Sequence, residues 1–164
     1  MKRAIAFRSV GRTFGLGLLA AAAFALPLAP SAFAVDTVIS KNAPDLTKVR
    51  ALIKAKDFKT AISELSKIAD TTQHADVYNL LGFSYRKSGD LKTGGTFYAK
   101  ALDFDPNHKG ALEYQGEMFM ELGQPDKAKV NLAKLVTLCP TGCEEREDLE
   151  KAIAAGGAAP TKTN

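Results

Sequence analysis

ADVYNLLGFSYRKSGDLKTGGTFYAKALDFDPNH, residues 75–108, and KGALEYQGEMFMELGQPDKAKVNLAKLVTLCPTG, residues 109–142, lie end to end and align without a gap. In that register Gly82 meets Gly116, Tyr85 meets Phe119, Gly89 meets Gly123, Tyr98 meets Leu132, Ala99 meets Ala133 and Pro106 meets Pro140, all at one constant spacing. A fixed period of this size marks a chain built by stacking one supersecondary unit. In the first copy Val77, Leu80, Leu81, Ser84 and Tyr85 share one helical face, and Phe97, Tyr98, Ala101 and Leu102 share another, so each copy holds two helices. Gly89 and Gly123 stand where the first helix must close, since glycine takes the left-handed conformation at little cost. Asp90 is placed to cap the second helix, a role that falls in the next copy to Gln124 ahead of Pro125. Gly82 and Gly116 are expected to let the two helices of each copy approach closely, and Pro106 and Pro140 to end the second helix.

The pattern resembles the tetratricopeptide repeat family, whose repeat carries an aromatic, then leucine-glycine, then tyrosine, and later alanine, an aromatic, alanine and proline. Residues 75–108 supply Tyr78, Leu81, Gly82, Tyr85, Tyr98, Ala101 and Pro106, and depart where Gly94 replaces the expected alanine. Residues 109–142 supply Leu112, Gly116, Phe119, Ala128, Leu132 and Pro140, with Gln115 and Leu135 as departures. The resemblance implies an all-α fold, a right-handed superhelix of about three helix-turn-helix repeats plus a C-terminal capping helix. It also implies a non-enzymatic business of binding other proteins.

Working upstream, Asp57–Ile62 resembles the start of a second helix: Ala61 lies one position short of a full period before Gly94, and Leu65 and Ile68 continue its apolar face. This predicts a degenerate first repeat at about 42–74, which lacks the closing proline and has Val49 where glycine is expected. Downstream, 143–155 reads as a cap, with acidic residues at its start to suit the helix dipole and Leu149, Ala152 and Ile153 to cover the last repeat. The repeat domain is thus expected over 44–155, after a linker at 35–43 and before a disordered tail at 156–164.

The segment 1–34 reads differently. Lys2, Arg3, Arg8 and Arg12 precede an apolar, alanine-rich run broken by Pro27, and Ser31, Ala32 and Ala34 supply small residues before Val35. That order is the one expected of a cleaved secretory signal, and the run is short for a spanning helix, which needs about 20 apolar residues. The expected compartment is a bacterial periplasm, with no membrane attachment after cleavage. Removing this segment takes the basic count from 22 to 18 against 18 acids, so the pI of 9.0 does not reflect a basic folded domain, and nucleic acid is not an expected partner.

Two cysteines, Cys139 and Cys143, sit at the handover from the third repeat to the cap. In an oxidising compartment a close pair implies a disulfide, and closing so short a loop stabilises by about 2 kcal/mol on the chain-entropy estimate. The alternative is a thiol-redox or copper-handling accessory protein using this pair, but copper would need a further ligand. The two histidines, His74 and His108, occupy equivalent inter-repeat turns and are expected to be exposed there, too far apart to share a metal. No nucleophile-base-acid set or phosphate-cradling loop appears, so neither a catalytic residue nor a cofactor is assigned.

The resemblance implies that the inner face of each first helix meets a peptide or a partner helix. Those positions are Arg50, Ile53 and Lys54 in the first repeat, Asn79, Phe83, Arg86 and Lys87 in the second, and Glu113, Glu117, Met120 and Glu121 in the third. Such a groove would grade from basic to acidic. Glu113, Glu117 and Glu121 fall at i, i+4 and i+8, a like-charge ladder that opposes its helix unless a partner compensates it. Phe83 and Met120 would supply apolar contact and the charged ends orientation. Self-association through the terminal repeats is a further alternative.

Overall fold

The computed structural model describes residues 43–156. The expected signal at 1–34, most of the linker and nearly all of the tail lie outside them. Among the described residues the chain forms seven helices and no strand: α1 (Thr47–Lys54), α2 (Phe58–Ala69), α3 (Ala75–Lys87), α4 (Leu91–Phe104), α5 (Lys109–Glu121), α6 (Pro125–Leu138) and α7 (Glu144–Ala154). Each helix packs on the next in the chain, α3 also touches α5, and α7 lies against both α5 and α6. This is an all-α helical repeat, with helix pairs stacked in chain order.

Local chemistry explains the boundaries. Asp57 and Asp90 cap α2 and α4 by accepting the amides of Thr60 and Thr93, so one orphan donor in the first turn of each helix is satisfied. Gln124 makes no side-chain cap, and α6 starts instead on Pro125, whose missing amide costs nothing at that position. Gly89 and Gly123 close α3 and α5 at φ values of 95° and 67°. The corresponding turn after α1 holds Lys56 at φ 61°, a side-chain-bearing residue in the left-handed region.

Two apolar clusters run through the stack. Leu46, Val49, Ala61, Leu65, Val77, Tyr78, Leu81 and Ala101 belong to the first, and Leu112, Ala128, Leu135, Leu149 and Ala152 to the second, with Leu102 packed against both. Each fully buried leucine in these clusters contributes roughly 1.5–3 kcal/mol by leaving water. An aromatic stack joins α3 to α4: Tyr78 lies on Phe97 and Phe104 at centroid distances of 6.5 and 5.2 Å, and Tyr85 on Phe97 at 5.4 Å.

The small residues act where backbones meet. A Cβ on Gly82 would stand 2.6 Å from the Tyr98 ring, so the absence of a side chain is what lets α3 take α4 at this distance. Gly94 is needed for the same contact from the other side, since its Cβ would lie 2.9 Å from the Gly82 carbonyl oxygen. The departure from alanine there is therefore a packing requirement. Gly116 corrects an expectation: a Cβ on it would meet Leu149 of α7 at 2.6 Å, so it accommodates the cap and not the partner helix of its own repeat.

Candidate functional site

The inner positions of α1, α3 and α5 do not share one environment. Arg50 and Lys54 are exposed on α1, Ile53 and Phe83 are half-buried, and Lys87 is exposed. Asn79, Arg86, Glu113 and Met120 are buried within the stack. Helical phase alone puts all of them on one face; packing between neighbouring helices then removes four of them from solvent, Met120 by joining the apolar cluster of α5, α6 and α7.

Arg50, Ile53 and Lys54 come together with Leu80, Phe83 and Tyr114 around a cavity of about 220 Å³. Phe83 and Tyr114 form its aromatic wall, their ring centroids 4.9 Å apart and the rings tilted, and Phe58 of α2 packs on Phe83 in an edge-type arrangement with centroids 6.4 Å apart. The Lys87 ammonium stands 5.5 Å from the Phe83 ring centroid, where the ring's negative face attracts it. Leu80 and Tyr114 are not among the expected groove residues. They occupy equivalent positions, one full period apart, so the repeat itself carried the signal that they share a surface. Burial pushes the Tyr114 phenol up to about 12, helped by the charges of Glu113 and Glu117, which keeps it neutral and leaves it no nucleophile at neutral pH.

The acidic end of the expected groove is closed from within. The Arg86 side chain, 2% exposed, donates from Nη1 to Glu117 Oε2 at 2.7 Å and from Nη2 and Nε to Glu121 Oε1 at 2.6 and 3.1 Å. Burial alone would weaken the guanidinium charge, and the Glu121 hydrogen bond, with Glu117 behind it, outweighs burial and holds the charge firmly on Arg86. The glutamate ladder is thus compensated by the chain's own arginine rather than held open for a partner. The fork joins positions about a repeat apart, which no local pattern announces. Glu113 and Lys87 are engaged as well.

The histidines also depart from expectation, being largely covered rather than exposed. His108 Nδ1 accepts the Ala111 amide at 3.0 Å, which assigns the proton to Nε2, and that nitrogen lies 3.0 Å from Asp76 Oδ1 on α3. His74 repeats the cap, its Nδ1 accepting the Asp76 amide at 3.2 Å. His108 so fastens the start of α5 to the start of α3, and its hydrogen bond holds the Asp76 carboxyl below its ordinary range, with the Arg50 charge adding to it.

Cys139 and Cys143 are paired, with Cα atoms 6.0 Å apart, where they end α6 and begin α7. Arg146 reaches back from α7 to the carbonyl oxygens of Pro140 at 3.2 Å and Cys139 at 3.4 Å. Among the described residues no group of three histidine, cysteine or acidic side chains is placed to hold a metal ion.

A tetratricopeptide repeat occupies residues 75–108. The family model matches the helix pair α3–α4, the pair with the Gly82–Tyr98 contact and the aromatic stack. Among curated proteins the chain is similar to the BBSome complex member BBS4 of Bos taurus, 30% identical over 105 residues that make up 64% of this chain and 19% of that protein. It is also similar to the uncharacterized protein ycf37 of Pyropia yezoensis, 34% identical over 64 residues, 39% of this chain and 36% of that one. The chain therefore spans well under half the length of these relatives. The repeat points to a protein–protein interaction module.

Proposed function

We propose that the chain is an exported, periplasmic, non-enzymatic scaffold that holds a partner peptide or helix in the groove between α1, α3 and α5. The observation that carries the reading is the cavity lined by Leu80, Phe83 and Tyr114, an aromatic recess on the inner side of the stacked first helices with cationic residues at its edge. Aromatic anchoring pockets beside charged rims are the anatomy of protein-recognition surfaces. Export rests on the sequence of residues 1–34, and the Cys139–Cys143 pair fits an oxidising compartment, where it would tie the capping helix to the last repeat.

The test is affinity capture from envelope extracts with the purified chain as bait, beside Phe83→Ala. A partner captured by the wild type and lost with Phe83→Ala, while the thermal melt of the variant stays cooperative, supports the reading. Capture that is equal for both, or absent, contradicts it. Reversing Glu117 and Glu121 would be a poorer test, because it would also strand the buried Arg86 charge.

A further inference from the structure

Every charged residue that lines the cavity is a cation, and among the described residues neither cation is neutralised by an ion pair. Arg50 and Lys54 are exposed on α1, one turn apart, and neither enters a side-chain hydrogen bond within the described stack. Most of the acids nearby are committed elsewhere, the exception being Glu144 of α7, whose charge reaches Tyr114. Glu117 and Glu121 hold Arg86, Glu113 is buried and engaged, and Asp76, which feels the Arg50 charge, is bound by His108. At about 220 Å³ the cavity is smaller than a cofactor or drug-sized site and holds a single large side chain.

We propose that this cavity binds an acidic peptide segment bearing a bulky apolar side chain, the apolar group entering against Leu80, Phe83 and Tyr114 while flanking carboxylates meet Arg50 and Lys54. The inference rests on the groove reading above and narrows it to one ligand chemistry. Burying the apolar group supplies most of the affinity, and the two cations, lying at a solvated rim, act mainly on encounter rate and salt dependence.

Selection of random dodecapeptides displayed on phage against the purified chain tests this, with Arg50→Glu/Lys54→Glu as the comparison bait. Both substitutions lie on exposed positions, so a thermal melt close to wild type is the control for folding. The expected result is enrichment of sequences combining aspartate or glutamate with leucine or an aromatic. Their synthetic peptides should bind the double variant about tenfold more weakly or worse, and should bind the wild type less well as salt rises. Enrichment of neutral or basic sequences, or equal binding to both baits, would overturn the acidic-ligand inference while leaving the groove reading standing. No enrichment above an unrelated bait would overturn both. Wild-type chain that self-associates, and becomes monomeric in the double variant, would make the occupant a second copy and overturn the inference too.

Discussion

The first helix pair and the second are built to the same plan and finished differently. Most of α3 is buried, from Ala75 through Arg86, whereas the shorter α1 buries only Val49. The turn closing α3 uses Gly89 and the turn closing α1 uses Lys56, both in the left-handed region. Charges at the α3–α5 contact are bound inward, as Arg86 with Glu117 and Glu121 and His108 with Asp76. Those on α1 point to water: Lys48 makes a solvent-exposed pair with Glu64, and Arg50 and Lys54 make none among the described residues. A repeat can thus commit its polar residues to its neighbour or leave them to solvent, and this chain does the former in its middle and the latter at its first helix.

The comparison can be broken most forcefully at its well-finished side. Gly82→Leu must push the Tyr98 ring out of the α3–α4 contact, and a loss of about 3 kcal/mol or more in denaturant unfolding is expected. An unchanged midpoint would mean that the close approach is not what holds this pair. At the less finished side the sign reverses: Lys56→Gly relieves a side chain held at φ 61° and should stabilise by roughly 1 kcal/mol, read by the same titration. A smaller effect belongs to Asp76. Its carboxyl is held below the ordinary 3.8 in the folded chain, so its contribution is fully present above that value and is lost as pH falls through the lower, folded one. Asp76→Asn should accordingly flatten the acid limb of the stability profile by lowering the plateau near neutrality toward the acid value, so that the two proteins differ least in strong acid.

Much of this is readable from the chain. The fold class follows from a fixed period in which glycine, aromatic and proline positions recur together, because those residues are dictated by backbone geometry inside each unit. Asp57 and Asp90 are readable as the starts of second helices for the same local reason. What the period does not carry is which unit a residue faces. Gly116 has the same place in its repeat as Gly82, yet meets Leu149 of the cap because α7 supplies the neighbour at the end of the stack. The pairing of Arg86 with Glu117 and Glu121 depends on how near α5 approaches α3, so helix phase places these residues on the inner face without telling that they consume one another. His74 and His108 escape a sequence reading because a histidine acting as a cap through Nδ1 lacks the residue signature of serine, threonine or aspartate. In the cavity, Phe83, Arg50 and Lys54 are readable, while Leu80 reads as core and Tyr114 is inconspicuous beside the charged ladder.

The most direct test of the contrast is native-state hydrogen exchange resolved along the chain. Amides of α3 and α5 should exchange only with global unfolding, and those of α1 should exchange through local opening at a lower free energy, since so little of that helix is buried. Protection of α1 equal to that of α3 would contradict the account, for it would mean that the first helix is as firmly fixed in the stack as the repeat it precedes.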